Sequence, residues 1–261
     1  MTTPNRKSKI QIGERYCREH GYVKHGANWY RCYGQGLLQV VTFNGLPERI
    51  SDSSFLREPS VALSIRSLYD WIKWINIPIM GAKRALIPGI VPKLFMHEQE
   101  LLSVSTSASD AELMVDYGFP LLDQIDTHTK LADLLEYLDK RNSHAVIAND
   151  PNNVIPYLLS GKHGKVLETI DAIEQQNLHA YAINCSTIAN YDSEAQKEKM
   201  NNSLYPYISL RESIAFPDVA NILAMLQSNY QANVDYLSGI GIPIPANCAS
   251  HAELITLMNM H

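Results

Sequence analysis

Cysteine and histidine three residues apart can ligate zinc or pair as thiolate and imidazole, and the chain offers this spacing twice, in Cys17/His20 and Cys248/His251. A zinc site would need the two pairs to meet across nearly the whole chain, so chance spacing is the simpler reading. A thiolate–imidazole pair at Cys17 and His20, one helical turn apart, lacks an evident third group to orient the ring. His20 and His25 flank a turn and read as incidental. The carboxylates of Asp123 and Asp126, also one turn apart, fit a helix cap better than a shared proton.

The remaining motifs fall short of the chemistry they suggest. His97-Glu98-Gln99-Glu100 lacks the second histidine that would put two imidazoles on one helical face. Gly161-Lys-His-Gly-Lys165 is only loosely a phosphate loop, because Lys165 is followed by Val166 and not by Ser or Thr. Gly34-Gln-Gly36 stands between two strand-like runs, whereas a dinucleotide loop must lead from a strand into a helix. Ser160-Gly161 is not a nucleophile elbow. No cofactor or metal motif is present, and a catalytic residue set is not written locally. An enzyme with a dispersed, hydrolase-like polar site stays open.

The cluster Trp29-Tyr30-Arg31 supports two readings. On a strand, Trp29 and Arg31 share one face and Tyr30 takes the other. Aromatics beside Lys24 and Arg31 on an open sheet could stack bases or hold a peptide, while cross-strand packing within a sheet needs the same residue types. With the basic residues that follow, the candidate binding surface is Lys24, Trp29, Arg31, Asn44, Arg66, Lys83, Arg84 and Lys93.

Charge gives this surface its interest. Residues 1 to 93 carry 14 Lys and Arg against 6 Asp and Glu, and residues 94 to 261 carry 8 against 21, so a net charge of −5 conceals balances of +8 and −13. Either the two parts neutralise each other within the fold, or the basic part faces nucleic acid or an acidic partner. Apolar residues at 46% and charged residues at 19% describe a globular chain and not a disordered tail. The N-terminus has no apolar stretch of the signal-peptide kind, and no run reaches the roughly 18 apolar residues that a membrane helix needs. A cytoplasmic protein without membrane contact is the expectation. The four cysteines are scattered singly, which argues against a disulfide scaffold.

The elements that must position these residues follow from periodicity. Ile10, Gly13, Tyr16 and Cys17 mark a short amphipathic helix over Lys9 to His20, stopped by Gly21. Tyr22 to Lys24, Asn28 to Tyr33 and Leu37 to Phe43 read as strands of a β-meander with turns at Gly26-Ala27 and Gly34-Gln35-Gly36. Val61 to Leu68 alternates as a half-buried antiparallel strand. The prolines and glycines between Pro78 and Pro92 predict a loop. Ser109 to Glu112 has the form of a capping box. Asp126-Thr127 caps a helix with Leu131, Leu134, Leu135 and Leu138 in one stripe. Val166, Leu167, Ile170 and Ile173 repeat that pattern, the longest helix is expected from Pro217 to Gly239, and a terminal helix begins at His251.

The order of these features resembles a known pattern. A helix ending in Gly-Tyr-Val-Lys, then Gly-x-x-Trp-Tyr-Arg, an apolar strand Leu38 to Phe43 and later Tyr117-Gly-Phe-Pro-Leu-Leu-Asp123 resemble an uncharacterised bacterial domain-of-unknown-function family, number 4304, over roughly residues 10 to 140. The chain departs from it at Gly45, where the family commonly has Gln. The resemblance implies an α+β domain with an antiparallel sheet and carries over no catalytic residue. Association of such small bacterial domains with defence loci implies, by analogy alone, a toxin-neutralising role.

The expectation is therefore an α+β fold: an N-terminal antiparallel sheet with a short leading helix, packed with a mainly helical C-terminal half. The first domain spans 1–145 and a helical region spans 146–261, which could equally pack as part of the same domain. The leading functional reading is a binding or interaction protein with a protein partner. The others are the dispersed-site enzyme and nucleic-acid binding through the basic part. Oligomeric state is not legible.

Overall fold

A computed structural model describes residues 6–34, 36–44, 60–71, 119–141, 153–188, 192–244 and 249–260. It contains an N-terminal antiparallel sheet of four strands with a short leading helix, followed by a mainly helical C-terminal half. The chain divides into two compact units, one made of residues 1–68, 73–127 and 232–248, the other of residues 69–72, 128–231 and 249–261. The expected loop at Pro78 to Pro92 and the capping box at Ser109 lie outside the described residues, as do Lys83, Arg84, Lys93, His97 and Cys248.

In the first unit the leading helix α1 runs Arg6–Glu19. Gly21 ends it at a φ of 76°, and the Tyr22 amide reaches back to the Cys17 carbonyl at 2.9 Å, the return bond of a left-handed helix stop. Strands β1 (Val23–His25), β2 (Asn28–Tyr33), β3 (Leu37–Asn44) and β4 (Ser60–Ser67) pair in sequence order, all antiparallel. Each glycine turn is where the pattern placed it. Gly26 opens the β1–β2 loop with φ 60°, and Gly34 and Gly36 frame the β2–β3 loop with φ 55° and 80°. The register sets Trp29 opposite Val41 and Arg31 opposite Gln39. On that face Trp29, Val41, Cys17, Tyr22 and Phe119 form one apolar cluster, Phe119 coming from the short helix α2 (Phe119–Gln124).

The second unit is built of helices. Helix α3 (His128–Arg141) buries Leu131 and Leu135 of the expected stripe together with Ala132, while Leu134 is half-buried and the Leu138 side chain lies outside the described residues. It packs on α4 (Val154–Leu158), α4 on α5 (His163–Thr187), and α5 on α6 (Ser193–Ala215). Helix α7 (Val219–Gly239), whose residues up to 231 belong to this unit, and α8 (His251–Met258) follow, α8 opening on a full capping box between Ser250 and Glu253.

Two helix expectations are corrected. Helix α7 starts at Val219, because the Asp218 carboxylate takes the Asn221 amide at 3.0 Å and so caps it, leaving Pro217 in the preceding turn. At 21 residues it is shorter than α5 with 25 and α6 with 23. Helix α6 carries no apolar stripe in its first half. Its buried positions are Leu204, Tyr207, Leu210 and Ser213, and Pro206 lies inside it.

Candidate functional site

Strand geometry decides where the aromatic-basic cluster faces. Trp29 and Arg31 do share one side of β2, and it is the side covered by α1 and α2. Trp29 is 4% exposed, packed in the apolar cluster, with the Lys24 ammonium 5.4 Å and the Arg18 guanidinium 6.0 Å from its ring centre. Lys24 also pairs with Glu14 at 2.7 Å. Tyr30, on the opposite face, is buried too, and its hydroxyl accepts a bond from the Asn28 amide at 3.0 Å.

Arg31 sits at the centre of a polar cluster. Its Nε donates to Gln39 Oε1 at 2.9 Å, its Nη1 to the His20 carbonyl at 3.3 Å and its Nη2 to Asp123 Oδ1. The guanidinium lies 4.7 Å from the Tyr22 ring centre and 5.6 Å from that of Tyr33. Tyr22 donates to the same Gln39 oxygen at 2.5 Å, Tyr16 donates to Asp123 Oδ2 at 3.2 Å, and Tyr33 donates to the Ile125 carbonyl. Burial, reinforced by Asp123, pushes the Tyr16 hydroxyl up to about 12. Burial likewise raises Tyr22 and Tyr33. Burial works against the charge on Arg31, yet Tyr22 and Asp123 outweigh it, so its pKa is raised. At neutral pH the cluster is thus a permanent cation, neutral phenol donors and a carboxylate whose two oxygens are both engaged. An incoming anion would have to displace Asp123 to reach Arg31. One basic residue of the N-terminal part is in this way neutralised by an acidic residue of the later part.

The other candidates scatter. Arg66 is buried at the end of β4. Asn44 closes β3 opposite Ser60, with its side chain outside the described residues. Cys17 is fully buried and its thiol is pushed up to about 12 by burial and then Glu14, so it is no thiolate. Its sequence partner His20 is exposed and stacks on Tyr16 with ring centres 3.6 Å apart. Asp123 is spent on Arg31 and Tyr16, apart from Asp126. Among the described residues no group of three or more metal-ligating side chains gathers, and no helix is long and apolar enough to cross a membrane.

The large exposed apolar side chains among the described residues lie in the second unit, away from the candidate binding surface. Helices α5 and α6 form an antiparallel hairpin whose near end is buried through Val166, Thr169, Ile170 and Ile173 on α5 and Leu204, Tyr207, Leu210 and Ser213 on α6. From Glu174 to Ser203 none of the described residues is buried. This far end nevertheless presents Leu178, Ile183 and Ile188, each about half exposed, and the free thiol of Cys185. The Tyr181 hydroxyl ties the two helices by donating to the Ser193 carbonyl at 3.1 Å. Nearer the body, Arg211 on α6 bridges to Asp171 at 3.1 Å and Glu174 at 2.8 Å on α5. A signal for the far end was present in the sequence, since none of residues 175 to 191 is Asp, Glu, Lys or Arg. A surface helix without charge is unusual enough to mark.

No protein-family model, curated protein or solved structure matches the chain.

Proposed function

We propose that the chain is an interaction protein that binds a protein partner through the far end of the α5–α6 hairpin. The observation that carries this reading is a two-helix segment in which none of the described residues is buried, while Leu178, Ile183 and Ile188 are exposed in an uncharged run. Apolar surface held in water is unfavourable by about 25 cal/mol per Å². Patches that combine such surface with depleted charge are characteristic of interface cores. The sheet face of the first unit supports a partner less well, because Trp29 and Arg31 are committed to internal contacts. A toxin-neutralising role would be one form of this activity, and it adds only the identity of the partner.

Affinity capture from a lysate of the source cells tests the reading. The wild-type chain should recover one stoichiometric protein, and the triple variant Leu178→Ser, Ile183→Ser, Ile188→Ser should lose it. Repeated recovery of nothing, or equal recovery by both chains, would count decisively against the hairpin as the binding element.

A further inference from the structure

A second feature of the helical unit stands apart from the hairpin's far end. Between α6, the start of α7 and Trp71 lies a pocket of about 180 Å³. Leu210, Ser213 and Ile222 form its buried floor, while Trp71, Pro206, Ser209 and Met225 make half-buried walls. Tyr205, 70% exposed, stands at its rim, and Trp71 is fixed edge-on against Tyr207 with ring centres 4.8 Å apart.

We propose that this pocket is an anchor site for one bulky apolar side chain, of phenylalanine or leucine type, from a peptide segment of a partner that carries basic residues on either side of it. Size argues first. Pockets for cofactors and drug-sized ligands run from about 300 Å³ upward, and this one is on the scale of a single large side chain. Its chemistry argues next, since none of the nine lining residues is charged, and aromatic rings with a methionine supply an adaptable apolar wall. The rim offers a main-chain contact. The Asn221 side-chain nitrogen donates to Ser213 Oγ at 2.7 Å, so its side-chain oxygen is the atom left to accept a peptide N–H.

Charge selects the flanks. Glu212 and Asp218, both exposed, are the acidic residues next to the lining positions on the two helices. Arg211, the described cation on the same helix beside these positions, is already matched by Asp171 and Glu174. A basic flank is complementary to that rim, and an acidic one is repelled.

The test uses the full chain with ¹³C-methyl methionine, the Met225 signal being assigned by Met225→Leu. The probes are acetyl-Lys-Ala-Phe-Ala-Lys-amide, the same peptide with Ala for Phe, and the Phe peptide with Glu for both Lys. The first should shift the Met225 methyl saturably, the Ala peptide should bind at least about tenfold more weakly, and the Glu peptide should bind more weakly at low salt. Ser209→Trp, which fills the pocket, should abolish the shift. Tyr205→Ser, at a position that is 70% exposed, should weaken it severalfold. No movement of Met225, equal binding of the Phe and Ala peptides, or unchanged binding by Tyr205→Ser overturns the assignment. Concentration-dependent self-association that moves Met225 overturns it too, in favour of a second copy as occupant. Because the readout is a methyl group remote in sequence from Leu178 and Ile183, its failure leaves the hairpin reading to its own test.

Discussion

The β2 face and the far end of the α5–α6 hairpin hold the same kinds of residue, bulky apolar groups with polar neighbours, and they dispose of them in opposite ways. On β2, Trp29 is enclosed and each nitrogen of the Arg31 guanidinium has an acceptor. On the hairpin, Leu178, Ile183 and Ile188 are each about half exposed, and none of the described residues from Glu174 to Ser203 is buried. The lesson concerns supply. A strand in a sheet offers two faces, and here α1 and α2 are at hand to cover one of them. The far end of the hairpin has no such cover among the described residues. Residue type alone does not separate a binding surface from a core, and the separation is made by what lies within reach.

The largest effect that could break this comparison comes from Trp29→Ala. An enclosed indole that packs with Cys17, Tyr22, Val41 and Phe119 should leave a cavity, and the loss should be about 3–5 kcal/mol in urea unfolding. A loss below about 1 kcal/mol would mean that the ring contributes little to the core, and the β2 face would return as a binding candidate.

A sharper test sets two turn glycines of the same sheet against each other. Both hold left-handed backbone, Gly26 at φ 60° and Gly34 at φ 55°, so alanine at either position is strained by about 1–2 kcal/mol. A methyl on Gly26 meets nothing within 4 Å, whereas one on Gly34 would stand 2.5 Å from the Asp126 carbonyl oxygen. Gly34→Ala should therefore unfold at clearly lower urea than Gly26→Ala. Equal midpoints would show that the close approach of the β2–β3 turn to Asp126 yields without resistance.

Much of the fold was legible because its signals are local. The Gly26 and Gly34 turns, the alternation of Val61 to Leu68 and the stripe of Leu131 and Leu135 each lie within one element and need no knowledge of another. Helix α6 was not legible, since its first half, from Ser193 to Ser203, has no apolar face and is followed by Pro206, which by itself argues against a helix. The interior of the Arg31 cluster was out of reach for a different reason. Arg31 and Asp123 are far apart in sequence, and only the fold brings them together. The pocket likewise joins Trp71 to residues from Tyr205 onward. The uncharged run from 175 to 191 was open to inspection, yet its meaning depended on the exposure of Leu178, Ile183 and Ile188 in the fold.

The smallest expected effect is the most informative about function. Leu178→Ser and Ile183→Ser replace apolar groups that are 48% and 45% exposed, so each should change unfolding free energy by no more than about 0.5 kcal/mol. Serine is also a slightly poorer helix former than leucine, which sets the direction as a small loss. A thermal melt superimposable on the wild type, together with loss of the captured partner, would separate binding from stability at the same two side chains. A loss above about 1.5 kcal/mol would mean the opposite: that the far end of the hairpin is packed within its own chain, and that its apolar residues serve the fold as Trp29 does. The two regions would then differ in degree and not in kind, because a side chain that the fold already uses has little apolar surface left to offer a partner.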